Sequence, residues 1–492
     1  LIASGPELEP QVWEMARRLA GELGIDALLA LRPTGAAAPA PALDAVEGVT
    51  VAYLDDAARG HDASRLAVAE PAPSDLAAFF HTGGTTGTPK LAAHTHLMQV
   101  VDAWAVALIA AGDPTWTVFA ALPLFHVNAL VVTTLAPLLR GHRVVWGGPL
   151  GYRDLALVRS FWQVVERYRI AALSAVPAVY AALSAVPVDA DISTLALAIV
   201  GAAPLPQAVR DAWLTHTGMP LTEGYGLTEA TCATTRSFPG SGRPGTVGQR
   251  LPYQQVATVS ADPSTGAWRF LGPDDVGTLV ISGPTVFPGY VVGRDQRGPI
   301  LDAGDKISDG WLDTGDLGSV SADGFVSLTG RAKDLIIRGG HNIDPAAVEA
   351  VFREHPAVVD ASVVGRPDRH SGEVPQAFIV VRDETANPEE IRAWAASRVP
   401  EPAAAPRHVT VLPVLPVTAV GKPYKVGLRV LATREELTAA LAGAGVPVPP
   451  SETWCDQLDG RVEVTFPAPP DEGARKAAAA VFDTYVLDWR FT

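Results

Sequence analysis

Residues 77–90 read Ala77-Ala78-Phe79-Phe80-His81-Thr82-Gly83-Gly84-Thr85-Thr86-Gly87-Thr88-Pro89-Lys90. An apolar run that is typical of a buried strand stops at a loop of glycine and threonine with one proline and one lysine. Glycines let backbone N–H groups converge without obstruction from Cβ atoms, the threonines add hydroxyl donors, and Lys90 adds a mobile cation. The stretch predicts a loop that holds the oxygens of a polyphosphate, and the alternative is a solvent-exposed turn after a strand.

The loop differs from two common phosphate-binding loops. A P-loop NTPase has G-x-x-x-x-G-K-[ST], whereas here Pro89 precedes Lys90 and Leu91 follows it, and the kinase pattern G-x-G-x-x-G is absent. The stretch from Thr82 to Lys90 instead resembles the loop T-S-G-[ST]-T-G-x-P-K-G of the adenylate-forming superfamily. That superfamily includes acyl-CoA synthetases, peptide-synthetase adenylation domains and beetle luciferases. Gly83 and Leu91 depart from its pattern.

The composition limits the class of protein. The chain has 492 residues, of which 48% are hydrophobic and 18% charged, so we expect a globular protein of two or more domains. The net charge of −15 and the lack of a basic patch argue against a nucleic-acid partner. Two cysteines cannot form a disulfide framework, which fits a reducing cytoplasm. The most apolar region, 100–139, is interrupted by charged residues and prolines, so we expect buried core and no transmembrane segment.

The order of the predicted elements indicates an α/β fold. Strands alternate with helices over 27–217, which predicts a parallel sheet flanked by helices, with ligands beyond the carboxyl ends of the strands. We predict a helix over 94–111, directly after the phosphate loop. Beyond residue 235 the strand-like segments lie close together, which predicts a more antiparallel, barrel-like subdomain. After Arg331 a smaller α+β unit begins, and Asn387-Pro388 marks the start of one of its helices.

We expect three parts along the chain. Residues 1–331 are the adenylation domain, 332–430 a mobile C-terminal domain, and 431–492 an extension packed on that domain, for which we have no functional interpretation. The chain opens without methionine, as if at the end of a strand. We therefore expect the natural N-terminal part of the adenylation domain to be missing, and the alternative is a naturally short chain.

A second motif covers residues 224–229 and reads Gly224-Tyr225-Gly226-Leu227-Thr228-Glu229. A tyrosine between glycines has room to lie flat against a base, and adjacent hydroxyl and carboxylate groups suit a phosphate oxygen and Mg²⁺. The motif resembles [YF]-G-x-T-E of the same superfamily. The resemblance implies that Tyr225 contacts adenine, Thr228 contacts phosphate and Glu229 binds Mg²⁺.

A third motif, residues 309–316, ends at Asp316 in a turn that contains two glycines. A carboxylate is the natural acceptor for the two hydroxyls of a ribose. The resemblance places the ribose-binding aspartate here, Arg331 near the ribose and phosphate, and Lys333 at the hinge between the two domains.

A fourth motif, residues 415–422, resembles L-P-x-T-x-x-G-K and ends at Lys422. The resemblance implies that Lys422 neutralises charge on the α-phosphoryl group as pyrophosphate leaves. Gly339, Gly340 and His341 resemble the segment that lines the tunnel for the pantetheine of CoA.

Three further segments complete the expected site. His126 in Pro-Leu-Phe-His resembles the residue near the acyl carboxylate, although a core histidine is the alternative. The segment Gly201-Ala202-Ala203 resembles the backbone that lies along adenine. Val176 and Cys232 are expected near the acyl pocket, and both could equally be plain core.

The resemblance implies an ATP-dependent carboxylic acid–CoA ligase with ATP, Mg²⁺ and CoA as its cofactor and co-substrates. A fatty or aryl carboxylate attacks the α-phosphorus of ATP, and the smaller domain then rotates so that the CoA thiol can attack the acyl-AMP. A carrier protein could replace CoA, and a nucleotide-binding protein without catalysis is the rival class. We expect a cytoplasmic monomer or homodimer.

The expected role of Lys422 gives a test. Lys422→Ala should abolish acyl-AMP formation but leave thioester formation from supplied acyl-AMP largely intact, because the lysine serves only the first half-reaction. Each half-reaction is measured separately, by pyrophosphate release and by thioester yield. Equal loss of both would contradict the rotation of the smaller domain.

Overall fold

The computed structural model describes most of the chain, namely residues 1–33, 40–59, 61–62, 64, 68–82, 90–109, 113–238, 240–262, 264–296, 298–339, 341–383, 385–399, 401–417, 424–449, 454–458 and 461–492. Several predicted site residues therefore lie outside the described residues: Gly83, Gly84, Thr85, Thr86, Gly87, Gly340 and Lys422. The chain divides into two compact units, Leu1–Ala72 and Pro73–Thr492.

The first unit is built around a short parallel sheet of three strands. Its strands and helices are β1 (Ile2–Ser4), α1 (Pro10–Glu22), β2 (Ala27–Leu31), β3 (Thr50–Tyr53) and α2 (Leu54–Ala58). Trp13, Ala16 and Ala20 lie on one face of α1 and are buried against Leu28 and Tyr53. The spacing of three and four residues places them on that face.

The second unit begins with a hairpin whose tip is the predicted phosphate loop. It consists of β4 (Leu76–His81) and β5 (Leu91–Thr95), and α3 (His96–Ile109) follows. The Thr82 N–H donates to the Lys90 carbonyl at 2.8 Å and closes the base of the loop. The predicted helix from residue 94 was wrong at its start, because cross-strand hydrogen bonds to β4 hold residues 91–95 extended.

A seven-stranded sheet follows, with strand order β12-β11-β10-β9-β8-β6-β7. Its first five strands along the chain are parallel and the last two antiparallel, which confirms the α/β class. The strands are β6 (Thr117–Ala120), β7 (Arg143–Trp146), β8 (Ile170–Ala175), β9 (Leu197–Val200), β10 (Leu221–Tyr225), β11 (Thr235–Arg236) and β12 (Gln249–Arg250). The helices are α4 (Val127–Leu130), α5 (Ala136–Leu139), α6 (Leu155–Arg159), α7 (Phe161–Tyr168), α8 (Pro177–Ser184) and α9 (Gln207–Thr217).

One face of this sheet carries the aromatic core. Trp162, Tyr180 and Trp213, from α7, α8 and α9, are fully buried against Phe119 and Val200 of the sheet. Burial of such large side chains contributes much of the hydrophobic free energy of folding. Helices α7 to α9 therefore cover this face of the sheet and exclude water from it.

The opposite face is covered in part by α3 and by the helix over 127–139. That helix contains a π turn, Val131–Leu135, between α4 and α5. The Thr133 and Thr134 hydroxyls both donate to the Ala129 carbonyl, at 3.0 and 2.7 Å. The extra residue of a π turn rotates the side chains that follow it about the helix axis, so different residues face the sheet.

The next part of the chain is mostly antiparallel, as predicted. A six-stranded sheet contains β13, β14, β15, β18, β19 and β20, while β16 and β17 extend the β4–β5 hairpin into a four-stranded sheet. The strands are β13 (Gln255–Ala261), β14 (Trp268–Phe270), β15 (Gly277–Ser282), β16 (Tyr290–Asp295), β17 (Gly298–Asp302), β18 (Ile307–Ser308), β19 (Trp311–Val320) and β20 (Val326–Arg331).

A smaller α+β part follows residue 331. Its five-stranded sheet and two helices are β21 (Ile336–Arg338), β22 (His341–Ile343), α10 (Pro345–Arg353), β23 (Val358–Asp368), β24 (Gly372–Val381), α11 (Pro388–Ala396) and β25 (His408–Val411). Phe352, Val363 and Ile379 are completely buried in its core. The structure therefore has the large and the small α/β parts that the sequence predicts.

The C-terminal residues form a further folded layer. Helix α12 (Lys425–Gly443) is followed by β26 (Cys455–Leu458), β27 (Arg461–Phe466), α13 (Glu472–Phe482) and β28 (Asp488–Phe491). Arg366 on β23 forms ion pairs with Glu435 and Glu436 of α12, and the Tyr485 hydroxyl donates to Glu436 at 2.6 Å. The ion pairs of Arg366 join the extension to the smaller α+β part, and the Tyr485 contact holds the extension together.

Two features concern the chain as a whole. Cys232 and Cys455 are both buried and free. Within the described ranges, every helix is too short or too polar to cross a bilayer.

The predicted start of α11 gives a stability test. The Asn387 side chain accepts a hydrogen bond from the Glu389 N–H at 3.0 Å, and Pro388 occupies the first helical position. Asn387→Ala should lower the free energy of unfolding by about 1 kcal/mol, since one N–H at the helix start loses its acceptor. The urea midpoint measures the loss, Asn387→Ser should restore it, and an unchanged midpoint for the alanine variant would contradict the cap.

Candidate active site

The centre of the candidate site is a carboxylate shared by an aromatic ring and a guanidinium group. Tyr225 ends β10, and its hydroxyl donates to Oδ2 of Asp316 on β19 at 2.6 Å. Arg331 ends β20 directly opposite Asp316 and donates from Nε to Oδ1 at 3.1 Å. Burial, and then the Asp316 carboxylate, raise the pKa of Tyr225 well above its usual value, so the phenol remains a donor. The structure therefore brings together three residues predicted around the base and ribose.

Gly226 is required by the backbone that follows Tyr225. A Cβ atom at this position would overlap the carbonyl carbon and oxygen of Cys232. The chain therefore folds back tightly after Tyr225 and places Thr228 at the start of a 3₁₀ turn, Thr228–Ala230. This explains the glycine of the motif without reference to any ligand.

The Thr228–Glu229 pair is supported by the four-stranded sheet. The Tyr290 hydroxyl, on β16, donates to Oε1 of Glu229 at 2.7 Å. His94 Nε2, on β5, lies 2.8 Å from the Thr228 carbonyl oxygen. The Lys90 ammonium lies 5.1 Å from the centroid of the Tyr290 ring, within cation–π range. The sheet thus joins the predicted metal residue to the foot of the phosphate loop.

Sequence reasoning missed Tyr290 and His94. Tyr290 stands opposite Ala92 across β16 and β5, and these strands are about 200 residues apart in the chain. No local pattern marks such a pairing. The one available signal was the turn Pro288-Gly289 before Tyr290, which shows a strand start but no function.

Glu229 can be tested as a Mg²⁺ ligand from the residues around it. The described part of the chain contains no group of three or more His, Cys, Asp or Glu residues that could hold a metal by itself. Mg²⁺ commonly uses one or two carboxylates with substrate phosphates and water as its other ligands. A single carboxylate, with one oxygen already held by Tyr290, fits that mode of binding.

His126 lies beside the end of β4. Its ring centroid is 6.1 Å from that of His81 and 4.7 Å from that of Phe125, and His81 stacks on Phe125. His81 directly precedes Thr82 at the base of the phosphate loop. The structure therefore places His126 next to that loop, and its role at the acyl carboxylate stays a prediction.

The segment Gly201-Ala202-Ala203 follows β9 at the carboxyl edge of the sheet. Ala202 has a φ of +68°, a left-handed conformation that costs alanine about 1–2 kcal/mol. A Cβ on Gly201 would lie 3.2 Å from the Gly224 carbonyl oxygen. The segment predicted to lie along adenine is therefore adjacent to the strand that carries Tyr225.

Val176 and Cys232 are placed in different surroundings. Cys232 packs with Val106 of α3 and Val131 of the π turn, whereas Val176 precedes α8. No contact between described residues joins the two, so a shared acyl pocket stays a prediction.

A cavity lies on the α3 side of the seven-stranded sheet. It is small and partly open to solvent, and it is lined mainly by apolar residues of α3, the helix over 127–139 and the sheet. Val106 and Val132 face Ser174 and Ile199 across it. The sequence did not predict this cavity.

The residues expected to serve the second half-reaction lie in the smaller part. The Lys333 carbonyl accepts from Arg429 at 3.0 Å, and the Gly339 N–H donates to Ser371 at 2.8 Å. The His341 side chain is 62% exposed, with Nδ1 3.6 Å from a Glu401 oxygen. Among the described residues, no contact joins His341 to the Tyr225–Asp316 pair.

Asp102 on α3 is a buried carboxylate that the sequence did not single out. Its Oδ2 accepts from the Ala233 N–H at 3.0 Å, next to Thr231, whose φ is +69°. Burial raises the pKa of Asp102 to about 8. Asp102 therefore holds the backbone that follows the Thr228–Glu229 turn.

Comparison with known proteins identifies the family. Residues 15–291 match the family model for AMP-binding enzymes, and residues 347–422 match that for the AMP-binding enzyme C-terminal domain. The first match covers more than half of the chain, so the chain belongs to the family of AMP-binding enzymes. The resemblance to the adenylate-forming superfamily is confirmed.

Individual relatives are ligases. The chain is 40% identical over 368 residues to marinolic acid–CoA ligase of Pseudoalteromonas sp. (strain SANK 73390), covering 72% of this chain and 55% of the relative. It is 31% identical over 358 residues to a long-chain-fatty-acid–CoA ligase of Bacillus subtilis, covering 71% and 60%. The chain thus spans less than two thirds of either relative's length. The crystal structure of ATP-bound MatB from Rhodopseudomonas palustris is similar, with 26% identity, a TM-score of 0.69 and coverage of 84% and 80%.

The raised pKa of Asp102 gives a pH test. The folded protein keeps this carboxyl protonated up to about pH 8, whereas the unfolded chain releases the proton near pH 4. Between these values the folded state holds one extra proton, so stability falls as pH rises, by up to about 1.4 kcal/mol per pH unit. Asp102→Asn lacks this contribution and should gain stability relative to wild type from pH 5.5 to 7.5.

Urea unfolding at three pH values measures the difference. Asp305→Asn, which removes an exposed carboxylate, should parallel wild type over the same range. A constant difference between Asp102→Asn and wild type would contradict the burial of a neutral carboxyl group.

Proposed function

We propose that the chain is the catalytic part of an ATP-dependent carboxylic acid–CoA ligase that forms an acyl-AMP intermediate. The observation that carries the proposal is the contact of Tyr225 and Arg331 with the one carboxylate of Asp316. These three side chains lie at the edges of two sheets. The aromatic ring suits the adenine base of ATP, the carboxylate suits its ribose and the guanidinium group suits a phosphate. The names of the relatives, which are CoA ligases, support the same reaction.

In the first half-reaction the residues position ATP and neutralise charge. Adenine would lie on Tyr225 beside Gly201-Ala202-Ala203, and the ribose hydroxyls would donate to Asp316. Thr228 and the loop 82–90, with Lys90 at its end, would hold the phosphates. Mg²⁺ on Glu229 would withdraw charge from them. The carboxylate then attacks the α-phosphorus and pyrophosphate leaves, and no covalent enzyme intermediate is needed.

In the second half-reaction we propose that the smaller part rotates about Lys333. Lys422 then leaves the site, and residues 339–341 approach it to line the path of CoA. The His341 side chain is 62% exposed and its Nδ1 lies 3.6 Å from a Glu401 oxygen, which is compatible with a segment that changes neighbours. A thiolate attacks the acyl-AMP and AMP leaves. A carrier protein is the alternative acceptor.

The domain division, the substrate, the cellular location and the oligomeric state are further parts of the proposal. We propose domains at 1–331, 332–430 and 431–492, a fatty or aryl carboxylate as substrate near Val176 and Cys232, and a role for His126 at its carboxylate. Two free cysteines are compatible with the cytoplasm. A monomer or a homodimer fits the proposal equally.

A pyrophosphate-release assay tests the reaction. The protein is supplied with MgATP and a panel of fatty and aryl acids, with and without CoA. We expect pyrophosphate with at least one acid, and AMP and thioester only when CoA is present. Binding of ATP by calorimetry without release over the whole panel would favour the non-catalytic rival.

The same assay includes two matched variants. Asp316→Ala should weaken ATP binding about tenfold or more, because two hydrogen bonds from the ribose to a charged group are lost. Asp323→Ala removes an exposed aspartate that pairs with Arg243, and it should bind ATP like wild type. Equal affinities of both variants would contradict the assigned ribose site.

A further inference from the structure

Arg236 on β11 is a buried cation for which the described part of the chain provides no counter-charge. The residue is only 3% exposed to solvent. None of its three guanidinium nitrogens has a hydrogen-bond partner among the described residues. Burial lowers its pKa to about 10, so it still carries its charge at neutral pH. An uncompensated buried charge is strongly destabilising, so its presence requires a reason.

The strand pairing shows where Arg236 lies. It stands directly opposite Gly224, the residue before Tyr225. The Cβ and Cγ atoms of Arg236 lie 3.9 Å from the point where a Gly224 Cβ would be. Because directly opposed residues share a face of the sheet, the arginine extends over a part of β10 that has no side chain. The guanidinium group is therefore held inside the protein on this face of the sheet.

The same face carries the cavity on the α3 side. Ser174 pairs with Ile199, which pairs with Thr222, and Gly224 lies two residues further along β10. Since residues two apart in a strand share a face, the cavity-lining Ser174 and Ile199 are on the same face as Arg236. Two strand spacings, about 10 Å across the sheet, and two residues, about 7 Å along it, separate Ile199 from Arg236.

The other face holds the remaining charges of this region. Glu223 points to that face and is already paired with Arg210. Tyr225, which contacts Asp316, alternates to that face as well. The residues assigned to the base and ribose are thus separated from Arg236 by the sheet.

The buried acid on α3 does not compensate Arg236 either. The pKa of Asp102 is set by burial and by the N–H groups of Ala233 and Cys232, with no influence from an arginine. In the described part of the chain, no other acid alters the pKa of Arg236. The described residues therefore supply no counter-charge for Arg236, and an anionic ligand on the α3 side would provide one.

We propose that Arg236 binds a second, non-reacting anionic group of the carboxylic acid substrate, so that the preferred acids carry a carboxylate or sulfonate besides the one that is activated. This inference rests on the proposed function. A guanidinium group matches such oxyanions with two parallel hydrogen bonds. Pairing with the reacting carboxylate would reduce its nucleophilicity, whereas pairing with a distal oxyanion fixes the substrate without that effect.

Acids matched in length test the proposal. Pyrophosphate release is measured for adipate against hexanoate, succinate against butyrate, 3-sulfopropionate against butyrate, and terephthalate against benzoate. We expect wild type to show kcat/KM about tenfold or more higher for a doubly anionic acid than for its partner. Arg236→Met should lose roughly 100-fold on that acid and change little on the partner, because one buried ion pair is removed.

Two further variants separate the charge from the fold. Arg236→Lys keeps a cation without the planar fork and should retain part of the preference. Arg250→Met removes an arginine from the neighbouring strand β12, whose Nη1 donates to the Gln254 carbonyl, and it should keep the wild-type preference.

Thermal unfolding provides a readout that needs no turnover. The doubly anionic acid should raise the unfolding temperature of wild type and not that of Arg236→Met. Without ligand, Arg236→Met should unfold at a higher temperature than wild type, because the uncompensated charge is gone.

The outcomes distinguish this inference from the proposed ligase activity. Pyrophosphate release without preference for doubly anionic acids, and unchanged by Arg236→Met, overturns the inference and leaves the activity standing. Absence of release with every acid overturns the activity, and the thermal shifts still decide whether Arg236 binds the second anion.

Discussion

The hydrogen bond between Tyr225 and Asp316 is the contact on which the candidate site depends. It joins β10 of the seven-stranded sheet to β19 of the six-stranded sheet, and these strands are about 90 residues apart in the chain. A buried hydrogen bond to a charged acceptor is among the stronger polar contacts in proteins. Because Asp316 also holds Arg331 at the end of β20, the contact fixes the junction between the large part and the segment that leads into the smaller part.

The four-stranded sheet has a comparable role on the phosphate side. It carries the phosphate loop between β4 and β5, and it supports Thr228 and Glu229 through His94 and Tyr290. Two groups that we propose to act on one triphosphate are therefore supported by the same sheet. Rigid mounting matters because misplacement of such groups by an ångström can greatly reduce a rate.

Local sequence signals predicted much of this arrangement. The capped start of α11 at Asn387 and the alternation of strands and helices depend on neighbouring residues, and the structure agrees with them. The motifs around Tyr225 and Asp316 named residues that the structure brings into contact, and their roles toward a ligand stay predictions. The loop at 83–89 and Lys422 lie outside the described residues, so the structure does not test them.

Long-range pairing explains what the sequence did not reveal. Residues 94 and 95 were predicted to begin a helix but end β5, because the pairing of β5 with β4 and β16 leaves no trace in a short stretch of sequence. The surroundings of Tyr290 and Arg236 are set by strand pairing, which places Tyr290 opposite Ala92 and Arg236 opposite Gly224. A single arginine in a short strand reads as a surface residue until its burial is known.

The π turn in the helix over 127–139 has a consequence for how the cavity can change. Each residue of a helix turns the following side chains by about 100°, so one extra residue determines whether Val132 and its neighbours face the cavity. The Thr133 and Thr134 hydroxyls stabilise that extra residue by donating to Ala129. Deletion of one residue from the π turn would rotate the side chains that follow it, and it would change the shape of the cavity without substituting any residue that lines it. Evolution could thereby alter the accepted acid through the length of a helix, and the catalytic groups would stay in place.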